Sequence, residues 1–286
     1  MDPFIFNSVN KLIEKGAADG PIKTFNKTWE LVLGKFHLYV DKVQYKRELD
    51  FEKFKAQFEN EIGTVPEENL QEPKISLLGP ALEASKYYIE EESLSRMFSK
   101  LIASSMDDRK NSDTHHSFVE VIKQLSPNDA ILLKHLSFIS VHPAVQYKAI
   151  MNKDYEAIKL SDSVIKHSPL DIKSTELSIN NLSRLGLINE SFGFSSLTKP
   201  GIYDVFYKPA YYCYFVDILI AEKNTLGGQK VMQLFKDGQN IQNVQNITKL
   251  DYDSILKIIK PWSLDIDKGM INFTAYGSSF INACVN

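Results

Sequence analysis

One periodic stretch constrains this chain more than any other. Between Ile22 and Ile62, the positions Phe25, Trp29, Val32, Phe36, Val40, Val43, Arg47, Phe51, Phe54, Phe58 and Ile62 recur in steps of three or four residues. That spacing puts them on one face of a helix. The mean step is about 3.7, nearer an 11-residue repeat than a heptad, so the stripe runs almost parallel to the helix axis. A single helix of this length spans roughly 60 Å at 1.5 Å per residue, longer than most globular helices. Gly34 weakens it, and Arg47 interrupts the stripe near its middle. The expectation is one long amphipathic helix over about 22–62 that bends, breaks or packs on a partner. Phe25, Trp29, Phe36, Phe54 and Phe58 would then form an oligomer or partner stripe.

The next constraint is a corner. In HHSFVEVIKQLSPNDAILLKHL, residues 115–136, Phe118, Val121, Ile122 and Leu125 fall at i, i+3, i+4 and i+7. Ser126 is a good N-cap, Pro127 suits the first helical position, and Asp129 stands where a capping box needs a carboxylate. Two short helices meeting at Ser126 are expected. Upstream, the chain reads as helical throughout. Phe4–Lys15 is a short amphipathic segment, and helices are expected over about 74–89, 93–106 and 116–125. The polar, proline-bearing stretch 63–73 is a connection with at most one helical turn. Gly79-Pro80 predicts a kink or a late start in the helix over 74–89. Glu90–Glu92 and Ser93 open the next one, placing acid at its positive end.

After Leu136 the pattern loosens. Val141–Ser163 is read as one or two short helices. Ser174-Thr175 caps a helix with Leu177, Leu182 and Leu185 inward, and Gly186 ends it before an extended Leu187-Ile188. The string STELSINNLSRLGLI has the form of the second helix and first wing strand of a winged helix-turn-helix. Tyr203–Tyr207 and Tyr211–Ile220 are rich in aromatic and β-branched residues and read as strands, the second long enough to be a buried helix. Val231–Phe235 and Tyr252–Ile259 are expected as helices. Trp262–Ile266, the turn Asp267-Lys268-Gly269 and Met270–Phe273 read as a hairpin. Thr274 caps a last helix, Ala275–Cys284. The fold class is therefore mainly α: a helical region, 1–125, followed by a winged-helix-like α+β region, 126–286.

Composition excludes some function classes. The formal net charge over 286 residues is −3, so no basic tail or overall basicity marks a nucleic-acid binder. Cys213 and Cys284 have no metal-ligand partner nearby in sequence and read as buried free thiols of a reducing compartment. No signal peptide is read at the N-terminus. The longest apolar run, Tyr211–Ala221, is about half of a membrane span and contains Asp217. A cytoplasmic protein with no transmembrane segment is expected.

Two blocks carry a family resemblance. The first is LLGPALEASKYYIEEESLSRMFSKLIASSMD, a polar loop, and then HHSFVEVIKQLSPNDAILLKHL; the second is FTAYGSSFINACV. Together they resemble the abortive-infection alpha family, through Leu-x-Ala-x-x-Met-Asp, then His-x-Ser-Phe-Val-Glu-x-x-x-Gln-Leu-Ser-Pro, and the Thr-x-x-Gly-x-x-Phe-x-x-Ala-Cys ending. The resemblance implies bacterial or prophage origin and phage resistance by abortive infection. It implies no established chemistry, and no catalytic or ligand residue carries over from it.

Each candidate site has a plainer structural alternative. Asp113, His115, His116 and Glu120 offer metal or acid–base chemistry, yet they lack an H-E-x-x-H spacing and fit better as helix anchors. Glu90-Glu91-Glu92 reads as a solvated helix start rather than a carboxylate metal site. Gly227-Gly228 lacks the ending of a phosphate loop and reads as a turn. Ser195-Ser196 lacks a nucleophile-elbow context. No cofactor, metal or catalytic constellation is expected. The helix Ser174–Leu185 would offer Asn180, Asn181 and Arg184 to nucleic acid or a partner, with Lys173 before it and Lys199 in the wing. The favoured expectation is a non-enzymatic defence protein working through protein contacts or assembly. A nucleic-acid-binding regulator comes second, and membrane disruption by the N-terminal amphipathic segments third.

Overall fold

The computed structural model describes residues 19–33, 44–150, 157–193, 195–259 and 262–286. The segment Phe4–Lys15 lies outside them, as do Phe36, Val40 and Val43 of the stripe. Among the described residues the chain is mainly helical, with twelve α-helices and a five-stranded antiparallel sheet. It divides into two units. The first comprises Met1–Phe138, Asn180–Ile188 and Phe273–Asn286; the second comprises Ile139–Ile179 and Asn189–Asn272. The first unit thus runs past residue 125 and takes back two later segments.

The first unit opens with α1 (Asp19–Leu33) and α2 (Gln44–Ile62). These are two helices and not one. Phe25 stacks on Phe58 with ring centroids 4.4 Å apart, and Trp29 lies 5.9 Å from Phe54 and 5.3 Å from Phe51. In one straight helix Phe25 and Phe58 would be roughly 50 Å apart at 1.5 Å per residue. Each step forward along α1 meets a step backward along α2, so the pair is antiparallel. The stripe folds onto itself, and Phe25, Trp29, Phe54 and Phe58 are all buried within the chain. A long apolar stripe must be covered, and here its own second half supplies the cover.

A 3₁₀ turn at Glu67–Asn69 follows, then α3 (Ile75–Tyr88) and α4 (Glu92–Ser105). Pro80 sits inside α3. The buried face of α3 is Leu77, Leu78, Ala81, Leu82, Ala84 and Ser85, whereas Ile75 is exposed. α4 is the hub of the unit. Leu94, Met97, Phe98, Leu101 and Ile102 form one buried face, and Ser95, Ser99, Ala103 and Ser104 behind it are buried too. A helix buried on nearly all sides needs small residues where neighbours approach, and serines meet that need if their hydroxyls are satisfied. Ser99 donates to its own helix at the Ser95 carbonyl, and Ser95 donates to Gln57. The polar loop after Met106 gives a 3₁₀ turn at Asp108–Lys110. α5 (Phe118–Lys123) and α6 (Pro127–Leu136) then form the expected corner.

The second unit begins with β1 (Val141–Ile150), where short helices were expected. Val145, Tyr147 and Ala149 are buried and alternate with Gln146 and Lys148, a two-residue period that marks a strand with one covered face. β2 (Ala157–Lys159) and β3 (Val164–Ile165) pair with it, each antiparallel. α7 (Ile172–Arg184) leads through Gly186, at φ 71°, into β4 (Ile188–Phe192). Leu187 N–H reaches back to the Leu182 carbonyl at 3.0 Å, closing the helix end. β5 is one continuous strand, Ser263–Phe273, and not a hairpin. It pairs antiparallel with β1 from Val141↔Asn272 to Ile150↔Ser263, and the sheet order is β2-β1-β5-β4. Gly269 is the reason the local reading failed. A Cβ there would lie 2.2 Å from the Ser191 carbonyl oxygen, so the glycine marks a close approach of backbones and not a turn.

Between β4 and β5 lies a helical insert: α8 (Pro209–Asn224), α9 (Leu226–Lys236), α10 (Ile241–Thr248) and α11 (Tyr252–Ile259). Tyr203–Tyr207 and Tyr211–Ile220, read as strands, are a 3₁₀ turn over Asp204–Tyr207 and the body of α8. Pro209, at the first helical position of α8, directs the chain into a helix. The unit's main core gathers Tyr147, Phe206, Phe215, Leu219 and Ile266, with Tyr147 stacked on Phe215 at 4.1 Å. The Tyr147 hydroxyl donates to the Phe206 carbonyl. A smaller core of Val231, Val244, Ile255 and Ile258 joins α9, α10 and α11. α12 (Ala275–Cys284), capped by Thr274 as expected, returns the chain to the first unit.

Candidate functional site

The two blocks that carry the family resemblance come together in the first unit. The capping box at the corner is complete: Ser126 N–H donates to Asp129 Oδ2 at 2.7 Å, and Asp129 N–H donates to Ser126 Oγ at 3.2 Å. Asn181 completes the corner, its Nδ2 donating to the Gln124 carbonyl at 3.0 Å and to Asp129 Oδ2 at 2.8 Å. Arg184 holds Asn181 in turn, with Nη2 2.8 Å from Asn181 Oδ1 and Nη1 3.1 Å from Gln124 Oε1. Two of the residues expected to face nucleic acid or a partner are therefore engaged in joining α7 to the corner.

The inward face of α7 is Thr175, Ser178, Ile179 and Leu182, and Leu177 is turned out at 72% exposure. The cap also differs from expectation. α7 starts at Ile172, and Asp171 accepts the Ser174 N–H at 3.0 Å. These bonds hold the Asp171 carboxyl below the usual carboxylate range, with the Ser174 side chain as the largest cause. Lys173, Asn180 and Lys199 are exposed.

α12 closes the other side of the corner. Phe118 meets Tyr276 and Phe280 edge to face, each at 5.1 Å. Ser104 donates to the Ala283 carbonyl at 2.9 Å, and Lys110 donates to that of Asn282 at 2.8 Å. Gly277 allows the approach. A Cβ there would sit 1.8 Å from the Leu187 carbonyl oxygen. The candidate acid–base cluster takes up separate tasks in this joint. Asp113 accepts from Ser279 and Asn282 of α12, and Glu120 pairs with Lys123. His115 Nδ1 lies 2.6 Å from Ser117 Oγ, which bonds onward to the Tyr276 hydroxyl. Glu91 and Glu92 are exposed at the start of α4. Gly227-Gly228 belongs to the first turn of α9, where Thr225 accepts the Gly228 N–H at 2.9 Å. Ser195 and Ser196 are exposed in a connection. Cys284 is buried, and burial pushes its thiol well above the ordinary range; Cys213, expected buried, is exposed.

Among the described residues, no group of three or more His, Cys, Asp and Glu side chains is placed to hold a metal ion. Two cavities were not foreseen. One, of about 570 Å³ in the first unit, lies between α4, α6 and the end of α12. The other, of about 450 Å³ in the second unit, has His167, Asp171 and Lys208 among its lining. His167 is held at φ 54°, a left-handed conformation uncommon outside glycine, and its N–H donates to the Tyr211 hydroxyl at 2.9 Å. Both cavities are assembled from distant segments, and a local sequence pattern carries no signal for that.

A family model for abortive infection alpha matches residues 46–284, which is most of the chain and includes both blocks of the joint. No curated protein and no solved structure matches it.

Proposed function

We propose that this chain, which belongs to the abortive infection alpha family, is a bacterial anti-phage protein that acts in the cytoplasm through protein contacts and without catalysis of its own. The observation that carries the contact reading is the helical insert between β4 and β5. Tyr214 and Ile218 lie one turn apart on α8 and are exposed, and Leu226, at the start of α9, is 86% exposed. Large apolar side chains left in solvent on neighbouring helices are a common mark of a protein-binding face. The occupant we assign is a protein of the infection, phage or host. Of the stripe first considered for this role, Phe25, Trp29, Phe54 and Phe58 are buried, so the insert takes its place. Among the described residues no helix is long and apolar enough to cross a membrane.

The test is plaque formation on a sensitive host that expresses the chain. The wild type is expected to lower plaquing, and Tyr214→Asp with Ile218→Asp to restore it while circular dichroism stays unchanged. Full protection by a folded double variant would sink the contact reading. Plaquing unaffected by the wild type across a broad phage panel would sink the defence reading.

A second reading keeps the winged helix. The passage from α7 through Gly186 into β4, and the strand order β1-β5-β4, support an elaborated winged helix with α8–α11 inserted in its wing. As a nucleic-acid surface this region is thin. Asn181 and Arg184 have intramolecular partners, and Lys173 and Lys199 are the other cations of the set that are exposed. Salt-sensitive DNA binding that Lys173→Ala weakens would favour this reading over the first.

A further inference from the structure

The cavity beside α4 gathers three cations in its lining. Arg96 and Lys100 are one turn apart on α4, and Lys134, in the last turn of α6, lines the same space. One carboxylate serves the first two. Glu61, at the end of α2, lies 3.7 Å from Arg96 Nε and 3.7 Å from Lys100 Nζ, too far for a good hydrogen bond to either. Lys100 is only 12% exposed at its side chain, so its ammonium is partly desolvated with Glu61 standing at 3.7 Å. Burial lowers its pKa, and the neighbouring Arg96 and Lys110 push in the same direction while Glu61 opposes them. Glu91 and Glu92 also line the cavity, at the exposed start of α4, two turns from Lys100.

The rest of the wall is apolar. Met97, Ala130, Ile131 and Val285 line it beside the buried Cys284. Its volume, about 570 Å³, falls within the range of small-molecule pockets. Three cations, two of them sharing one carboxylate at 3.7 Å, next to an apolar wall suit one kind of guest. We propose that this cavity binds a small amphipathic anion, a carboxylate or phosphate head on an aliphatic body, with Lys100, Arg96 and Lys134 taking the head and Met97, Ile131 and Val285 taking the body. The guest would sit where α4, α6 and α12 meet, that is, inside the joint built from the two family blocks. Binding there stabilises the first unit and gives the protein a way to respond to a metabolite, independently of the contact face on the insert.

The test uses the full chain at constant ionic strength, with octanoate, octyl phosphate, octanol and inorganic phosphate as probes in thermal unfolding and calorimetric titration. Octanoate or octyl phosphate is expected to raise the melting temperature and to bind one to one; whichever of the two binds more tightly identifies the head. Lys134→Ala and Lys100→Met are each expected to weaken that binding about tenfold, as loss of one charge-assisted contact would. Lys134 is exposed, so its variant folds even if Lys100→Met does not. Equal binding of octanol overturns the anionic head, and equal binding of inorganic phosphate overturns the apolar body. No binding of either octyl anion, or binding unchanged in Lys134→Ala, overturns the site.

Discussion

The two units are each closed by a late segment of the chain, and they are closed differently. α12 closes the first unit as a helix. It inserts Tyr276 and Phe280 against Phe118, and Gly277 lets its backbone come down onto the Leu187 carbonyl. β5 closes the second as a strand, with its backbone paired to β1 over ten positions and Gly269 beside Ser191. A closing helix concentrates its contact at a few side chains and one small residue. A closing strand spreads its contact along a ladder, so that no single side chain carries as much of it. The first arrangement is the more brittle under substitution.

The largest effect is expected where that brittleness is concentrated. Gly277→Ala drives a methyl into a backbone carbonyl that cannot rotate away, and chemical denaturation should report a loss of about 3 kcal/mol or more. Gly269→Ala is expected to cost less, because β5 can shift within the ladder; an equal or larger loss there would break the comparison. Phe118→Ala, which empties the buried centre of the ring cluster, should cost about 3–5 kcal/mol. Tyr147→Phe, which leaves the Phe206 carbonyl without its donor in the second unit, should cost about 1 kcal/mol.

The smallest expected effect has the opposite sign. Glu176 accepts the Asp162 N–H at 2.8 Å, but burial raises its pKa against that bond. A carboxyl whose folded pKa is raised costs stability once it ionises, so Glu176→Gln should gain slightly at neutral pH. The gain should fade as pH falls through the raised pKa and vanish below the unfolded carboxylate range. Melting temperatures of both proteins across that range would show it; a gain that persists in acid would rule out this cause.

The same contrast explains which features were legible in the sequence. The corner at Ser126-Pro127-Asp129 was legible to the atom, because a capping box is complete within four residues. The cap at Thr274 and the helix stop at Gly186 were legible for the same reason. The periodicity correctly picked out Phe25, Trp29, Phe51, Phe54, Phe58 and Ile62 as covered positions. It could not show what covers them, because a stripe that meets a partner and one that meets its own second half have the same spacing. β1 was missed because it is stabilised by β5, more than a hundred residues away, and β5 was read as two hairpin strands because Gly269 looks like a turn until Ser191 is placed beside it. Asn181 and Arg184 were read as contacts for nucleic acid or a partner, and within the chain they bond to Gln124 and Asp129, which no local pattern indicates.

The discontinuity of the first unit also sets a schedule. Its last pieces, Asn180–Ile188 and Phe273–Asn286, follow Phe138 along the chain. At about 5–20 residues per second on the ribosome, the stretch from Phe138 to Cys284 takes roughly 7–30 s to make. For that interval Phe118 and the far side of α4 await α12, and the corner at Ser126 awaits Asn181 until about a third of the interval has passed. The nascent chain therefore carries an open apolar seam through much of its synthesis, and a host short of chaperones would meet this protein first at that seam.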